Sequence, residues 1–173
     1  MKRAFFLAEI TVAIVLATCL GSTAASAQGS LEAPHGGKTA GSGAPVTSLG
    51  GAQLIAPEDL VKILQAPKGE KPLVLNVGPH LLFVQAHIPG AEFIGPGSDS
   101  KSLQALRNRV KSLPRRKFIV LYCGCCPWSH CPNVLPAYRV LAELGFINAK
   151  VLYIADNLGV DWVYKGYPMA KGE

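Results

Sequence analysis

Lys117-Phe118-Ile119-Val120-Leu121-Tyr122-Cys123 is a continuous apolar run that ends on a cysteine. An apolar run without polar alternation is the pattern of a strand buried on both faces. Strands of that kind belong to parallel sheets covered by helices on either side. In such sheets ligands bind beyond the carboxyl ends of the strands, in the strand-to-helix loops. Cys123 is the residue that this strand delivers to that position.

The segments on either side fit the same plan. Upstream, Ala56-Pro57-Glu58-Asp59-Leu60 opens a helix, with Pro in the first turn and two acids against the positive end of the dipole. Leu60, Ile63 and Leu64 form its apolar stripe. Residues 72–77 (PLVLNV) read as a second buried strand, followed by a short helical turn over 81–86 and a short strand over 92–94. Ser98-Asp99-Ser100 caps a helix running to about Ser112, with Leu103, Leu106 and Val110 inward. Downstream, Asn133 is placed to cap a helix carrying Leu135, Val140, Leu141 and Leu144. Pro136 falls in its first turn, and Gly145 closes it. Residues 151–154 make another buried strand, and 156–164 a last helix. Alternating strands and helices predict a single α/β domain with a central parallel sheet and helices on both faces.

The remaining chain sets the context. Lys2 and Arg3 precede an apolar run from Ile10 to Leu20, and Ala25-Ser26-Ala27 supplies a small-x-small cleavage pattern. Residues 1–27 are therefore expected to be a secretory signal peptide. The protein is then periplasmic or extracellular, and tethered to the membrane if the signal stays uncleaved. Residues 28–51 are dominated by Gly, Ser, Ala, Thr and Pro and read as a flexible linker. Residues 52–173 are the size of one ordinary domain. The formal charge is +6, and a mild basic surplus of this kind favours anionic substrates or an anionic surface. No basic patch is interleaved with aromatics, so nucleic acid is not an expected partner. Of the five cysteines, Cys19 lies in the leader. The other four all fall between Cys123 and Cys131, unlike the scattered framework of a disulfide-stapled domain.

Three local patterns resemble one family in order and spacing. His87-Ile88-Pro89-Gly90-Ala91 is similar to the signature that follows the first strand and helix of rhodanese-like domains. Ile119 to Cys123 resembles the strand that delivers the catalytic cysteine of that family. Trp162 with Lys165-Gly166-Tyr167-Pro168 resembles its usual ending. The resemblance spans Ile55 to Met169 and implies a rhodanese-like fold. It also implies a sulfurtransferase cycle with Cys123 as the sulfur carrier. Two departures stand out. The first strand of the family usually ends in Asp-x-Arg, and here it reads Asn76-Val77-Gly78. The active loop is longer than usual and holds no Arg or Lys between Cys123 and Asn133.

That loop, Gly124, Cys125, Cys126, Pro127, Trp128, Ser129, His130 and Cys131, admits several chemistries. The nucleophilic form of cysteine is the thiolate, which backbone N–H groups and a helix N-terminus stabilise. On this reading Cys123 takes sulfur from a small sulfur-containing anion and passes it to a thiol acceptor, without metal or cofactor. Cys123 and Cys126 also form a C-x-x-C pair suited to thiol–disulfide exchange, with Cys126 as the redox partner. A Cys126–Cys131 bridge would simply pin the loop. Four thiols with His130 are, finally, the ligand types that a soft metal or metalloid prefers. The second ligand cluster of a typical structural zinc site is missing. His130 is the better placed of the histidines for acid–base help, and Trp128 is either a lid or a core cover.

Overall fold

The computed structural model describes residues 48–172. The expected signal peptide, the expected cleavage after Ala27 and any tether fall outside the described residues, as do the first twenty positions of the expected linker. Among the described residues no helix is long and apolar enough to cross a membrane.

The elements alternate as expected: β1 (Leu54–Ile55), α1 (Pro57–Gln65), β2 (Leu73–Asn76), α2 (His80–Gln85), β3 (Glu92–Phe93), α3 (Ser100–Val110), β4 (Ile119–Tyr122), α4 (Val134–Glu143) and β5 (Ala149–Leu152). All strand pairings are parallel, in the order β1-β5-β4-β2-β3. Pro57 opens α1, with Glu58 and Asp59 in its first turn. The Asp99 carboxylate accepts from the Ser102 backbone N–H at the start of α3.

Three details differ from the sequence reading. A two-residue edge strand, β1, pairs with β5 and extends the sheet by one strand. Leu49 packs against the core, and a 3₁₀ turn occupies Gly51–Gln53, so ordered structure begins a few residues inside the expected linker. The last helix shrinks to one wide turn, Gly159–Val163. There the Asp161 carboxylate accepts from the Asp156 backbone N–H, which fixes the chain locally without a longer helix.

The sheet separates two cores. Leu75, Val77, Ile119, Leu121 and Cys123 share one face with α3 and α4 residues such as Leu106, Val110, Ala137 and Leu141. Val74, Val120, Tyr122 and Leu152 share the other with Leu60 of α1 and with Trp162. The Trp162 indole N–H donates to the Pro168 carbonyl at 2.7 Å, and Tyr167 meets the ring edge-on. This packing gives the Lys165–Pro168 ending a structural role. His87 is buried, stacks on Phe83 and bonds the Phe83 carbonyl through Nδ1. Its backbone pairs with Ala170. The His87–Ala91 signature thus works as packing and turn.

Candidate functional site

Alternation along β4 decides where the cysteine sulfur goes. Ile119 and Leu121 face α3 and α4, while Val120 and Tyr122 face α1. The next residue, Cys123, must fall on the first face, at the amino end of α4. Strand order adds a second constraint. The chain leaves β2 toward one edge of the sheet and leaves β4 toward the other, so a crevice opens between their carboxyl ends. Cys123 borders it from β4, and Gly78 from β2.

The β2 side is built around the Asn76-Val77-Gly78 departure. The Asn76 side chain accepts from the Gly78 N–H at 3.0 Å and donates to the Cys123 carbonyl at 3.5 Å. A neutral amide therefore braces the strand end where an acid–base pair was missing. A Cβ at Gly78 would lie 3.0 Å from the Cys123 carbonyl oxygen and 3.1 Å from its Sγ. Glycine here is what gives the sulfur room. Neither role was read from the sequence, although a polar residue closing a buried strand directly before Val-Gly was the available signal.

The loop folds its four thiols onto one another, and none is bridged. The Cys123 and Cys125 sulfurs are 3.1 Å apart, and those of Cys125 and Cys126 are 3.0 Å apart. All four sulfurs, including that of Cys131, lie within 4.8 Å of one another. Asn133 stands at the head of α4 but makes no capping bond with its side chain. Its carboxamide oxygen instead accepts from the Ser98 N–H, and its Nδ2 points at the Cys123 sulfur (3.3 Å) and the Cys125 sulfur (3.7 Å). The cap expected from sequence is thus a sulfur-facing amide. The Gly95–Gly97 loop makes room for it, since a Cβ at Gly97 would lie 2.0 Å from the Asn133 carbonyl oxygen.

The electrostatics divide the cluster. Cys123 is only 5% exposed. The hydrogen bond it shares with Cys131 and its burial both push its thiol up. Burial, then Cys125, push Cys126 up to about 12. Cys131 moves the other way, to about 5, because Cys123 donates to it and the Asn133 and Val134 N–H groups point at its sulfur. The expectation that main-chain dipoles hold Cys123 itself as the anion is therefore corrected. The first turn of α4 directs its N–H groups at Cys131, while at Cys123 the single main-chain contribution, from Cys125, is outweighed by the neighbouring thiols and by burial.

The other loop residues are dispersed. Gly124 accepts from the Leu158 N–H through its carbonyl. Trp128 is half-buried, donates its backbone N–H to the Ala155 carbonyl and leans on Tyr153 at 5.1 Å, covering the loop from outside. Ser129 and His130 are exposed and bond each other. His130 meets Cys126 through its backbone carbonyl at 4.0 Å. Its imidazole does not join the thiol cluster, contrary to the suggestion from sequence. Beside Cys123, Gly124 and Cys125 lies a cavity of about 320 Å³, walled otherwise by residues such as Asn76, Phe83, Leu158 and Val163. Among the described residues no Lys or Arg lines it.

No protein-family model matches the chain, and no curated protein does either. Solved structures do. The rhodanese-like domain of an Anabaena sp. protein, determined by NMR, is 20% identical with a TM-score of 0.50, over 69% of this chain and 79% of that one. A crystal structure of the Anabaena protein gives a TM-score of 0.51 at 20% identity, over 68% and 82%. A Bacillus halodurans protein gives 0.50 at 24% identity, over 68% and 75%. The domain has the rhodanese-like fold, with a cysteine-rich loop at the position where the central strand ends.

Proposed function

We propose that the protein carries sulfane sulfur as a persulfide on Cys123 and hands it to a thiol acceptor, working outside the cytoplasm after export. The observation that carries this reading is the position of Cys123. Its sulfur ends the central strand and borders a cavity of about 320 Å³, with three further thiols within 4.8 Å. The rhodanese-like fold supports chemistry of the sulfurtransferase type, and residues 1–27 support export.

The cycle balances without a cofactor. Cys123 gives its proton to solvent base on the cavity side. The Cys123 thiolate then attacks the outer sulfur of thiosulfate, whose S–S bond breaks. Sulfite leaves with the bonding pair, and a persulfide anion remains on Cys123. An acceptor thiolate attacks that outer sulfur, takes it as its own persulfide, and restores the Cys123 thiolate. If Cys125 or Cys126 attacks Cys123 instead, the products are an internal disulfide and hydrogen sulfide. Cys125, at 3.1 Å, is at least as well placed for this as the Cys126 of the C-x-x-C pair. A cavity wall without Lys or Arg favours a donor whose charge is spread along a sulfur chain. Polysulfides and persulfides should therefore outpace compact thiosulfate.

Steady-state sulfur transfer by reduced, metal-free protein tests the reading. Wild type should release one sulfite for each thiosulfate consumed in the presence of a thiol acceptor, and Cys123→Ser should lose the activity. A Cys123→Ser protein that transfers sulfur at the wild-type rate overturns it. Export is checked separately by the amino terminus of the secreted protein, expected at Gln28.

A further inference from the structure

We propose that the sulfurs of Cys123, Cys125, Cys126 and Cys131 form a receptor for a single thiophilic d¹⁰ cation, Zn(II) or Cu(I), with the Asn133 carboxamide as its outer hydrogen-bond donor. Four observations converge on it. The first is number and spacing: four unbridged sulfurs from one nine-residue loop lie within 4.8 Å of one another, the closest pair at 3.0 Å. A tetrahedral zinc ion with Zn–S bonds of about 2.3 Å requires S···S edges of about 3.8 Å, which fall inside that range. Small side-chain rotations therefore suffice to seat the ion.

The second observation is donor type. The His130 imidazole stays outside the cluster, bonded to Ser129, so the set is all sulfur. Such a set selects soft d¹⁰ cations over hard ones. The third is charge. Among the described residues no Lys or Arg lines the cavity beside Cys123 and Cys125, so from that side no protein cation competes with a metal ion for the sulfurs. The fourth is the outer layer. The Asn133 Nδ2 aims at two of the four sulfurs while its oxygen is anchored on the Ser98 N–H. An oriented N–H donor to ligand sulfur is the arrangement that fixes and tunes first-layer ligands. On binding, each thiol still protonated gives its proton to solvent, and no electron is transferred.

The proposal shares Cys123 with the persulfide reading but does not depend on it. The two uses exclude each other at any instant, because the sulfur lone pair that holds the ion is the one that would attack a sulfane donor. A loaded loop is therefore a silenced sulfur carrier.

The test uses the full chain, reduced and handled without oxygen. It is titrated with Zn(II), and separately with Cu(I) in competition with a chromophoric chelator. Co(II) serves as an optical stand-in for tetrahedral sulfur coordination. One ion per chain is expected, with all four loop thiols protected from alkylation by mass spectrometry. Uptake by Zn(II) alone or by Cu(I) alone identifies which ion the site takes. Loss of an outer-layer partner typically weakens a metal site by roughly 10–100-fold. Losing a ligand costs more, so Cys125→Ser and Cys131→Ser should each weaken binding by at least about tenfold. Cys19→Ser should leave uptake unchanged. No stoichiometric uptake of either ion, or affinity unchanged in Cys131→Ser, overturns the proposal. If a variant fails to fold, the wild-type thiol count decides: protection of only two thiols overturns a four-sulfur site. Sulfur transfer is measured on metal-free protein, so the two readings fail independently.

Discussion

Gly97 shows how single residues govern this site without taking part in its chemistry. Its missing side chain lets the segment before α3 pass directly over the Asn133 carbonyl, which an added methyl would approach to 2.0 Å. Overpacking of this kind costs about 1–3 kcal/mol. Gly97→Ala should therefore lower the unfolding free energy from denaturant titration by an amount in that range and also displace the amide that faces Cys123 and Cys125. Unchanged stability would mean that the backbone yields there at little cost. At this scale the sequence was only partly legible. The cysteine cluster announced itself by density. Asn133 was visible only as a helix cap, because local pattern reports where a residue stands and not what its side chain faces once distant chain is packed over it. His130 misled for the same reason, since proximity along an irregular loop does not fix the direction of a ring.

Elements were far more legible, because their signals are local. The Ile119–Tyr122 run contributes residues to both cores, and Leu121 is fully buried among α3 and α4 partners. Truncating a buried leucine costs about 2–5 kcal/mol. Leu121→Ala should fall there, whereas Leu81→Ala, at a position 68% exposed, should stay within about 0.5 kcal/mol. Equal losses at the two sites would contradict the assigned faces. The two-residue β1 escaped notice because Leu54–Ile55 is too short to show a period. The wide turn at Gly159–Val163 reads as a longer helix because Trp162 and Val163 turn inward onto the core as helical residues would. Between β3 and α3, Arg109 grips both carboxylate oxygens of Glu92. This hydrogen bond holds Glu92 below the ordinary carboxylate value of 4.5. A depressed folded-state value contributes stability that is complete above that ordinary value and is lost as pH falls through the folded one. Both side chains are more than a third exposed, so solvent screens the pair and the effect is modest. The gap in thermal midpoint between wild type and Glu92→Gln should therefore be full at neutral pH and shrink as the pH falls below 4.5. A gap that stays constant would remove Glu92 as its source.

For the whole molecule, strand order matters more than any single contact. Placing β4 beside β2, with their connections departing toward opposite edges, brings Cys123 to the same crevice as Asn76, 47 positions upstream. The alternation of strands and helices made the parallel sheet legible from sequence. The pairing of Asn76 and Gly78 with Cys123 was not legible, because it depends on which strands become neighbours. The account as a whole stands on Cys123 as the carrier of sulfane sulfur. Fragmentation mass spectrometry of the Cys123–Cys131 peptide, taken from reduced, metal-free protein after brief exposure to polysulfide, examines that directly. The account predicts one added sulfur located on Cys123, and none on the loop of Cys123→Ser. Four unmodified thiols, or a sulfur that settles on the loop of Cys123→Ser as readily as on wild type, would contradict it.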